Sequence, residues 1–243
     1  MVIINADDWG RSRDETDAAA DCFARGRITS VTAMVFMQDS ERAAHVARER
    51  GIDVGLHLNL DQPFTGEVPS GPARERHERV VAFLTSREYA FLLYNPLLGQ
   101  DFRDAYQAQY AEFVRLYGRP PSHVDGHHHL HLCTNMLLGR VITQGVRVRR
   151  SFHFWPGEKG LANRNYRKAV DWLLARRHPI VDYFFALPHC FDERRMDRVV
   201  SLARTAVVEI MTHPTNPAEH AFLTGFKFAS SLGSIQAGTY AAV

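Results

Sequence analysis

Cysteine is scarce in this 243-residue sequence, which holds three cysteines at widely separated positions. Cys22, Cys133 and Cys190 are odd in number, and no two of them form a CxxC pair. A disulfide framework uses an even number of cysteines at closer spacings, whereas unpaired cysteines are typical of reducing compartments. The cysteine pattern therefore predicts no disulfide framework, and we expect a cytoplasmic protein.

Long apolar runs are missing as well. The sequence holds no run of eighteen consecutive apolar residues, which is roughly the length that a membrane-spanning helix needs. At the N-terminus, no basic flank precedes a long apolar stretch, so no signal peptide is predicted. We therefore expect no membrane span.

The sequence also lacks a strong excess of basic charge. Its 29 Lys and Arg residues and 27 Asp and Glu residues leave a formal charge of +2. Nucleic-acid-binding proteins concentrate basic residues in patches or grooves, often interleaved with aromatic residues. No such run occurs here, which argues against a nucleic-acid partner.

What the sequence does contain is a regular alternation of apolar runs of strand length with amphipathic runs of helical length. The predicted strands cover residues 2–7, 30–36, 53–60, 123–127, 146–150 and 206–211. The predicted helices cover residues 14–25, 40–49, 102–116, 134–145, 166–175 and 192–203. Residues 61–79, rich in Pro, Gly and charge, are predicted to form a long loop above the sheet. The alternation predicts a parallel sheet wrapped by helices, and the length suits one α/β barrel domain over residues 1–243.

The densest group of potential metal ligands is HVDGHHHLH, residues 123–131, which holds five histidines and one aspartate. Neutral imidazole nitrogens and carboxylate oxygens bind divalent transition metals. Strand alternation would send His128 to the face opposite His127, and it would give His129 and His131 the parity of His127. We expect His127 to face the site, whereas the roles of His123, His128 and His131 stay open.

Carboxylates and imidazoles also stand where other predicted strands end. Asp7 and Asp8 close the first strand, His57 lies on the polar face of the third, and His213 follows the sixth. The carboxyl ends of parallel barrel strands meet at one rim, so these side chains are expected to converge with His127. One carboxylate and two imidazoles suit a divalent metal with open positions, which leaves an acid and a base unassigned.

Each of these residues also has a purely structural interpretation. The paired aspartates could cap the following helix, and His57 alone could be a satisfied buried histidine. His213 and Pro214 could form a turn at a strand end, and Arg149 could be a solvated charge. The presence of several such residues at one predicted rim favours function over these alternatives.

In this order, the motifs resemble the YdjC-like carbohydrate deacetylases, a family that includes chitooligosaccharide deacetylase and a hopanoid-biosynthesis protein. The resemblance extends over nearly the whole chain, through residues 5–10, 27–32, 55–57, 118–129, 211–214 and 238–240. It implies a distorted (β/α) TIM-like barrel that holds one divalent metal. The implied reaction is hydrolysis of the N-acetyl group of an amino sugar or glycoconjugate.

The resemblance implies roles for particular residues. The positions that match the metal ligands are Asp8, His57 and His127. Asp7 matches the general base, and His213 matches the general acid. In the predicted strand 146–150, Arg149 is expected to pair with Asp7 and keep it ionised, with Arg150 as the competing candidate.

Four residues are predicted to contact the substrate: Trp9, Asn59, His129 and His189. Trp9 stands where the family usually has Phe, and it would enlarge the aromatic surface beside the metal. By ligand type the site suits Zn, Co, Mn or Ni, whereas the resemblance also allows Mg. The sequence predicts neither the particular sugar nor whether the chain forms a homo-oligomer.

Two rival functions remain open from the sequence. Another metal-dependent barrel hydrolase, such as a phosphoesterase, would need ligands for further ions, and His123, His129 and His131 could supply them. A non-catalytic metal-binding or sugar-binding relative is the second rival. Asp7 and His213 argue against it, because holding a metal requires neither residue.

Overall fold

The computed structural model describes residues 1–67, 71–233 and 235–243, and in these a six-stranded parallel sheet forms the centre of the fold. Its strands are β1 (Val2–Trp9), β2 (Ser30–Ala33), β3 (Asp53–Leu58), β4 (Val124–Gly126), β5 (Tyr183–Ala186) and β6 (Val208–Thr212). Their order across the sheet is β4-β3-β2-β1-β6-β5, and every neighbouring pair is parallel.

The helices are α1 (Arg13–Ala24), α2 (Ser40–Arg50), α3 (Pro72–Leu84), α4 (Gly99–Tyr117), α5 (Thr134–Leu138), α6 (Leu161–Ala175), α7 (Glu193–Ala203), α8 (Pro217–Thr224) and α9 (Phe226–Leu232). None of the described helices is both long and apolar enough to cross a membrane. All three cysteines are free and buried.

The two faces of the sheet differ in chemistry. Ile4, Leu56 and Ile210 belong to the main apolar core, as expected for parallel strands that helices cover. The alternate positions carry polar side chains that bond to one another inside the curled sheet, such as Asn5 with Ser30. Successive strand residues point to opposite faces, so one face packs the helices while the other builds a polar interior.

Residues 147–153 close the gap between β4 and β5. On one side, Val124 N–H donates to Arg147 O at 2.8 Å and Arg149 N–H donates to Val124 O at 3.0 Å. On the other side, His153 N–H donates to the carbonyl of Phe184 in β5 at 2.9 Å. The segment thus occupies the position of a seventh strand, although its one isolated bridge joins Val124 to Val148. This closure confirms the predicted distorted TIM-like barrel.

Two predicted elements differ strongly from the structure in extent. Within the predicted 61–79 loop, α3 begins at Pro72, because proline at the first helical position costs no hydrogen bond; residues 68–70 of that loop lie outside the described residues. The helix predicted over 134–145 ends at Leu138. Arg140, with φ 48°, stands in the left-handed region and cannot continue the helix.

The sequence did not predict β5, α8 or α9. The run Tyr183–Ala186 is apolar throughout and lacks the alternation that marks a half-buried strand. Phe184 and Phe185, in this run, are fully buried.

Candidate metal centre and active site

One cavity of about 490 Å³ lies where the carboxyl ends of β1, β3, β4 and β6 meet. The five residues predicted to converge all line it: Asp7, Asp8, His57, His127 and His213. The rest of the lining is Arg11, Gly126, His128, His129 and Met211. The structure therefore brings together the candidate metal ligands, the candidate base and the candidate acid.

Two adjacent aspartates face this cavity because β1 is irregular at its end. Neighbouring residues of a regular strand point to opposite faces. Between Ala6 and Trp9 the register with β2 shifts, and Asp8 adopts a left-handed φ of 66°. A bulge of this kind re-aims a side chain, so that Asp7 and Asp8 both line the cavity.

Asp8, His57 and His127 form a compact group of metal-ligand atoms. Asp8 Oδ1 lies 3.4 Å from His57 Nε2 and 3.1 Å from His127 Nδ1. Donors bonded at about 2.0–2.2 Å to one ion, at tetrahedral or octahedral angles, stand roughly 3–3.5 Å apart. The three side chains therefore fit a divalent metal ion, with two imidazoles and one carboxylate as its ligands.

Asp125 fixes the orientation of the His57 ring. Its Oδ1 lies 2.8 Å from His57 Nδ1, and both side chains are buried. A carboxylate on one ring nitrogen sets the tautomer and leaves the other nitrogen free to bind metal. Burial alone would raise the pKa of Asp125, but the neighbouring Arg149 and His57 hold it well below its usual range.

Gln62 contacts one ring nitrogen of His127, as Asp125 contacts one ring nitrogen of His57. The side-chain amide nitrogen of Gln62 lies 2.9 Å from His127 Nε2, while His127 Nδ1 faces Asp8. Rotation of the Gln62 amide by 180° exchanges its nitrogen and oxygen, so that the oxygen accepts a hydrogen bond from a proton on His127 Nε2. His127 Nδ1 is then free to bind an ion. Sequence reasoning missed Gln62, because only the folded loop after β3 brings it to the histidine.

Gln62→Leu is expected to weaken metal binding about 10- to 100-fold, since it removes the group that orients His127. Gln62→Glu is the matched control, because it keeps an acceptor at the same place. Competition with a chromogenic chelator gives both affinities. Equal affinity in the Leu variant and the unaltered protein would show that Gln62 does not orient the ligand.

Arg149 is fully buried and binds three carboxylates at once. Its guanidinium donates to both oxygens of Asp7 at 2.7 Å, and it lies 2.5 Å from Asp125 and 2.7 Å from Glu209. Burial alone would lower the pKa of Arg149, but these carboxylates raise it well above its usual value. Arg150 instead pairs with Asp171 at 2.7 Å, so Arg149 is the residue that contacts Asp7.

The remaining contacts of Asp7 leave one oxygen available. Asn5 Nδ2 donates to Oδ1 at 2.9 Å, and Thr32 Oγ1 donates to the same oxygen at 3.2 Å. Oδ2 accepts from Arg149 alone among the described residues. A carboxylate oxygen has two lone pairs, so Oδ2 keeps one that can accept a proton or a hydrogen bond in the cavity.

The C-terminal residues support this network from inside the barrel. The Tyr240 hydroxyl donates to Glu209, and the Tyr240 ring stacks on His123 with ring centroids 3.5 Å apart. A Cβ on Gly55 would lie 2.4 Å from the His123 ring, so only glycine fits there. Burial lowers the pKa of His123 to about 3, and His123 is a neutral packing residue rather than part of the cavity lining.

Glu219, at the start of α8, holds His213 in place. Its Oε2 accepts from the backbone N–H of His213 and from Thr212 Oγ1, both at 2.9 Å, and its Oε1 lies 3.6 Å from His213 Nδ1. Burial alone would lower the pKa of His213, but Glu219, Asp7 and Asp8 raise it above its usual value. Sequence reasoning missed Glu219, because α8 was not predicted.

Two of the predicted substrate-contacting residues do not reach the cavity. Trp9 is fully buried and donates its indole N–H to the Ala43 carbonyl in α2. Asn59 is also fully buried, and its Oδ1 accepts from the backbone N–H of Gln62. Trp9 lies on the helix side of the sheet and Asn59 shapes the loop that carries Gln62, so neither side chain lines the cavity.

The other two predicted substrate contacts belong to one aromatic group beside the cavity. His129 lines the cavity and meets the Phe152 ring edge to face at 4.5 Å. Half-buried His189, after β5, lies 5.6 Å from the same Phe152 ring. Aromatic faces pack against sugar rings through apolar contact, so this group is a candidate wall for the substrate.

Beyond His127 the chain does not continue as a strand, so the predicted alternation of side chains does not occur. A 3₁₀ turn over His127–Leu132 replaces the strand, and His128 and His129 adopt left-handed φ values of 49° and 58°. The His128 side chain is 66% exposed and lies 2.5 Å from Asp61. His131 lies 3.0 Å from the Arg149 carbonyl and does not line the active-site cavity.

Comparison with known proteins gives a family match over residues 1–237, described as YdjC-like protein. The chain is 34% identical to chitooligosaccharide deacetylase of Serratia marcescens over 135 residues, which cover 54% of this chain and 51% of that protein. It is 28% identical to carbohydrate deacetylase of Mus musculus over 251 residues, covering 89% and 78%. The chain spans about half the length of the bacterial chitooligosaccharide deacetylases matched first.

The fold is similar to that of a solved structure from Enterococcus faecalis V583, a candidate cellobiose-phosphate cleavage protein. The two share a TM-score of 0.70 and 19% sequence identity, and the match covers 99% of this chain and 97% of the other. At this identity the similarity concerns the fold alone.

Proposed function

The chain belongs to the YdjC-like family, and on that premise we propose that it hydrolyses the N-acetyl group of an amino sugar with the help of one divalent metal. The observation that carries the proposal is the shared cavity of a metal-ligand group, a carboxylate and an imidazole. The carboxylate of Asp7 and the imidazole of His213 stand outside the Asp8, His57 and His127 group. The names of the relatives, carbohydrate and chitooligosaccharide deacetylase, support the same reaction.

Asp8, His57 and His127 would hold the metal. A bound divalent ion polarises an acyl oxygen and lowers the pKa of water from about 15.7 to roughly 7. By ligand type the site suits Zn, Mn or Co, and the family resemblance allows Mg. Which of these metals the site binds is part of what we propose.

Asp7 is proposed as the general base. Asp7 lines the cavity, and its Oδ2 keeps a free lone pair while Arg149 holds both oxygens in position. The guanidinium favours the ionised carboxylate, which is the form that accepts a proton from the attacking water. Asn5 and Thr32 restrict the rotation of the carboxylate by bonding to Oδ1.

His213 is proposed as the general acid. An amine leaves a tetrahedral centre readily only after its nitrogen has gained a proton, so the reaction needs a donor beside the leaving group. The raised pKa of His213 keeps its imidazole protonated at higher pH than usual. Its side chain is 38% exposed toward the cavity, which leaves it accessible to substrate.

The rival phosphoesterase hypothesis receives less support from the geometry. It needs ligands for further ions, which His123, His129 and His131 were expected to be able to supply, yet His123 stacks on Tyr240 and His131 contacts the Arg149 carbonyl. Among the described residues, no candidate metal group includes any of these three histidines.

The test is acetate release from a panel of N-acetylamino sugars, including chitooligosaccharides, by protein loaded in turn with Mg, Mn, Co and Zn. Release that requires both the metal and Asp7 is the expected result. A protein with stoichiometric metal that releases no acetate from any sugar, but hydrolyses phosphate esters, would overturn the proposal in favour of the rival hydrolase.

Glu219→Gln is expected to shift the basic limb of the kcat profile to lower pH. The negative charge of Glu219 raises the pKa of His213, so its removal lets the imidazole lose its proton at lower pH. The glutamine oxygen can still accept from the His213 N–H, which preserves the turn. Initial rates across the pH range measure the shift, and an unchanged basic limb would remove His213 as the acid.

We propose that a single domain over residues 1–243 carries this activity, because β1 and β6, from opposite ends of the chain, pair in one sheet. We also propose a cytoplasmic location, because free cysteines such as these three are typical of a reducing compartment.

A further inference from the structure

A second cavity, of about 330 Å³, lies between α5 and the C-terminal half of α6. It shares no lining residue with the active-site cavity. Part of its wall is apolar, formed by Met136, Leu137, Ile142 and Leu174 among others. Its volume falls at the lower end of the range for small-molecule sites, which is roughly 300–1,000 Å³.

The polar part of this wall is made of cationic and neutral groups. Arg140, Arg176 and Arg177 line the cavity, and no aspartate or glutamate does. In the described part of the chain, none of these three arginines forms an ion pair with a carboxylate. By contrast, Arg150 and Arg79 elsewhere in the chain each bind an aspartate at 2.7 Å.

An arginine-lined wall without acids has a clear chemical preference. Guanidinium groups bind carboxylate and phosphate oxygens through paired N–H donors. Arg177 Nε is buried and has no hydrogen-bond partner among the described residues, and buried donors normally have one. An anion in the cavity would supply that acceptor.

The apolar part of the wall adds a second requirement. Leu138 and Leu173, which also line the cavity, are 55% and 37% exposed. A ligand with an apolar body would cover this surface, and burial of apolar area favours binding. A simple inorganic anion would satisfy the arginines but leave the leucines in contact with water.

We propose that this cavity binds a small amphipathic anion, with its phosphate or carboxylate head on the three arginines and its apolar body against the leucines. The site is separate from the proposed deacetylation chemistry, and its occupancy does not depend on turnover. The α5–α6 cavity is thus a ligand site on the flank of the barrel.

The experiment titrates metal-loaded protein with hexyl phosphate, hexanoate and inorganic phosphate, by calorimetry and by NMR. The unaltered protein is compared with the double variant Arg176→Gln/Arg177→Gln and with Arg194→Gln. Arg194 is the matched control, because it is an exposed helical arginine of α7 that lines neither cavity.

The expected result is that hexyl phosphate binds at least tenfold more tightly than inorganic phosphate. The double variant should lose at least tenfold of this affinity, and Arg194→Gln should retain it. Equal binding of hexyl phosphate by the double variant and the unaltered protein would overturn the proposal. So would equal affinity for hexyl and inorganic phosphate, because the apolar wall would then contribute nothing.

A second variant covers the case in which the double variant does not fold. Leu173→Glu places a carboxylate at a partly exposed position of the same wall, where it competes with the ligand head for the arginines. It should also lower the affinity for hexyl phosphate at least tenfold. Unchanged affinity in this variant would contradict the site.

Discussion

Asp7→Asn is expected to reduce deacetylation about 10²- to 10⁴-fold while the metal stays bound, because an amide cannot accept the proton that a carboxylate base removes. Asp7 lines the cavity but does not belong to the Asp8, His57 and His127 group. The asparagine oxygen can still accept from Asn5 and Thr32 at the Oδ1 position. One charged contact to Arg149 is lost, which should cost the folded state about 1–3 kcal/mol.

Asp8→Asn is the control, because it alters the neighbouring aspartate and removes a charged metal ligand. Metal content per chain, kcat on the best N-acetyl sugar and urea unfolding are measured for both variants. The assignment predicts low activity with full metal in Asp7→Asn, and low activity with reduced metal in Asp8→Asn. If both variants lost metal equally, Asp7 would be a ligand and not the base.

Arg149→Met is expected to lower the free energy of unfolding by about 3–5 kcal/mol, the largest stability effect of any single change considered. Removing one partner of a buried ion pair leaves an uncompensated charge, and Arg149 neutralises Asp7, Asp125 and Glu209 together. Methionine keeps much of the volume but none of the donors. Turnover should fall as well, since Asp7 and the Asp125 that orients His57 both lose their anchor.

Arg150→Met is the matched control, because Arg150 neighbours Arg149 in sequence and its partly exposed side chain pairs with one aspartate. Loss of Arg150 leaves one carboxylate without its partner, whereas loss of Arg149 leaves three, so this variant should lose less stability. Urea unfolding of both proteins at neutral pH provides the comparison. Similar losses would show that the three-carboxylate network contributes no more than a single ion pair.

The Arg149→Met deficit should also depend on pH, with a defined sign. In the unaltered protein the pKa of Asp125 is lowered below its usual value, so its ionised form stabilises the fold above the unfolded-state pKa of about 4. That contribution is lost as pH falls through the folded pKa. The difference between the two proteins should therefore be largest near neutral pH and shrink in acid, and a constant difference would contradict the argument.

The sequence predicted the positions of the metal-ligand candidates well because each stands at the end of a strand with a local signal. The polar face of β3 follows from its alternation, which sets His57 apart from Leu56 and Leu58. The run before Asp7 is apolar, and the run before His213 is apolar too. Convergence at one rim then follows from the parallel barrel, whichever helices surround it.

The side-chain positions that the sequence did not predict correctly have a different cause. Trp9 was expected at the cavity because it follows two aspartates, but the bulge at Asp8 changes the direction of each side chain around it. The parity of His129 and His131 was derived from a strand that ends at Gly126. A bulge and a 3₁₀ turn depend on backbone dihedrals that the hydrophobic pattern does not encode.

The sequence by itself determined the fold class and the strand ends that carry carboxylates and imidazoles, because hydrophobic periodicity is a local property of the chain. Only the tertiary structure decided which partner each of these groups has. Asp125 and His57 are 68 residues apart in sequence, and Arg149 and Asp7 are 142 apart. Gln62 carried no signal of its own, since its contact with His127 spans 65 residues and depends on how the strands close around the barrel. Glu219 lies near His213 in sequence and was missed because α8 was not predicted.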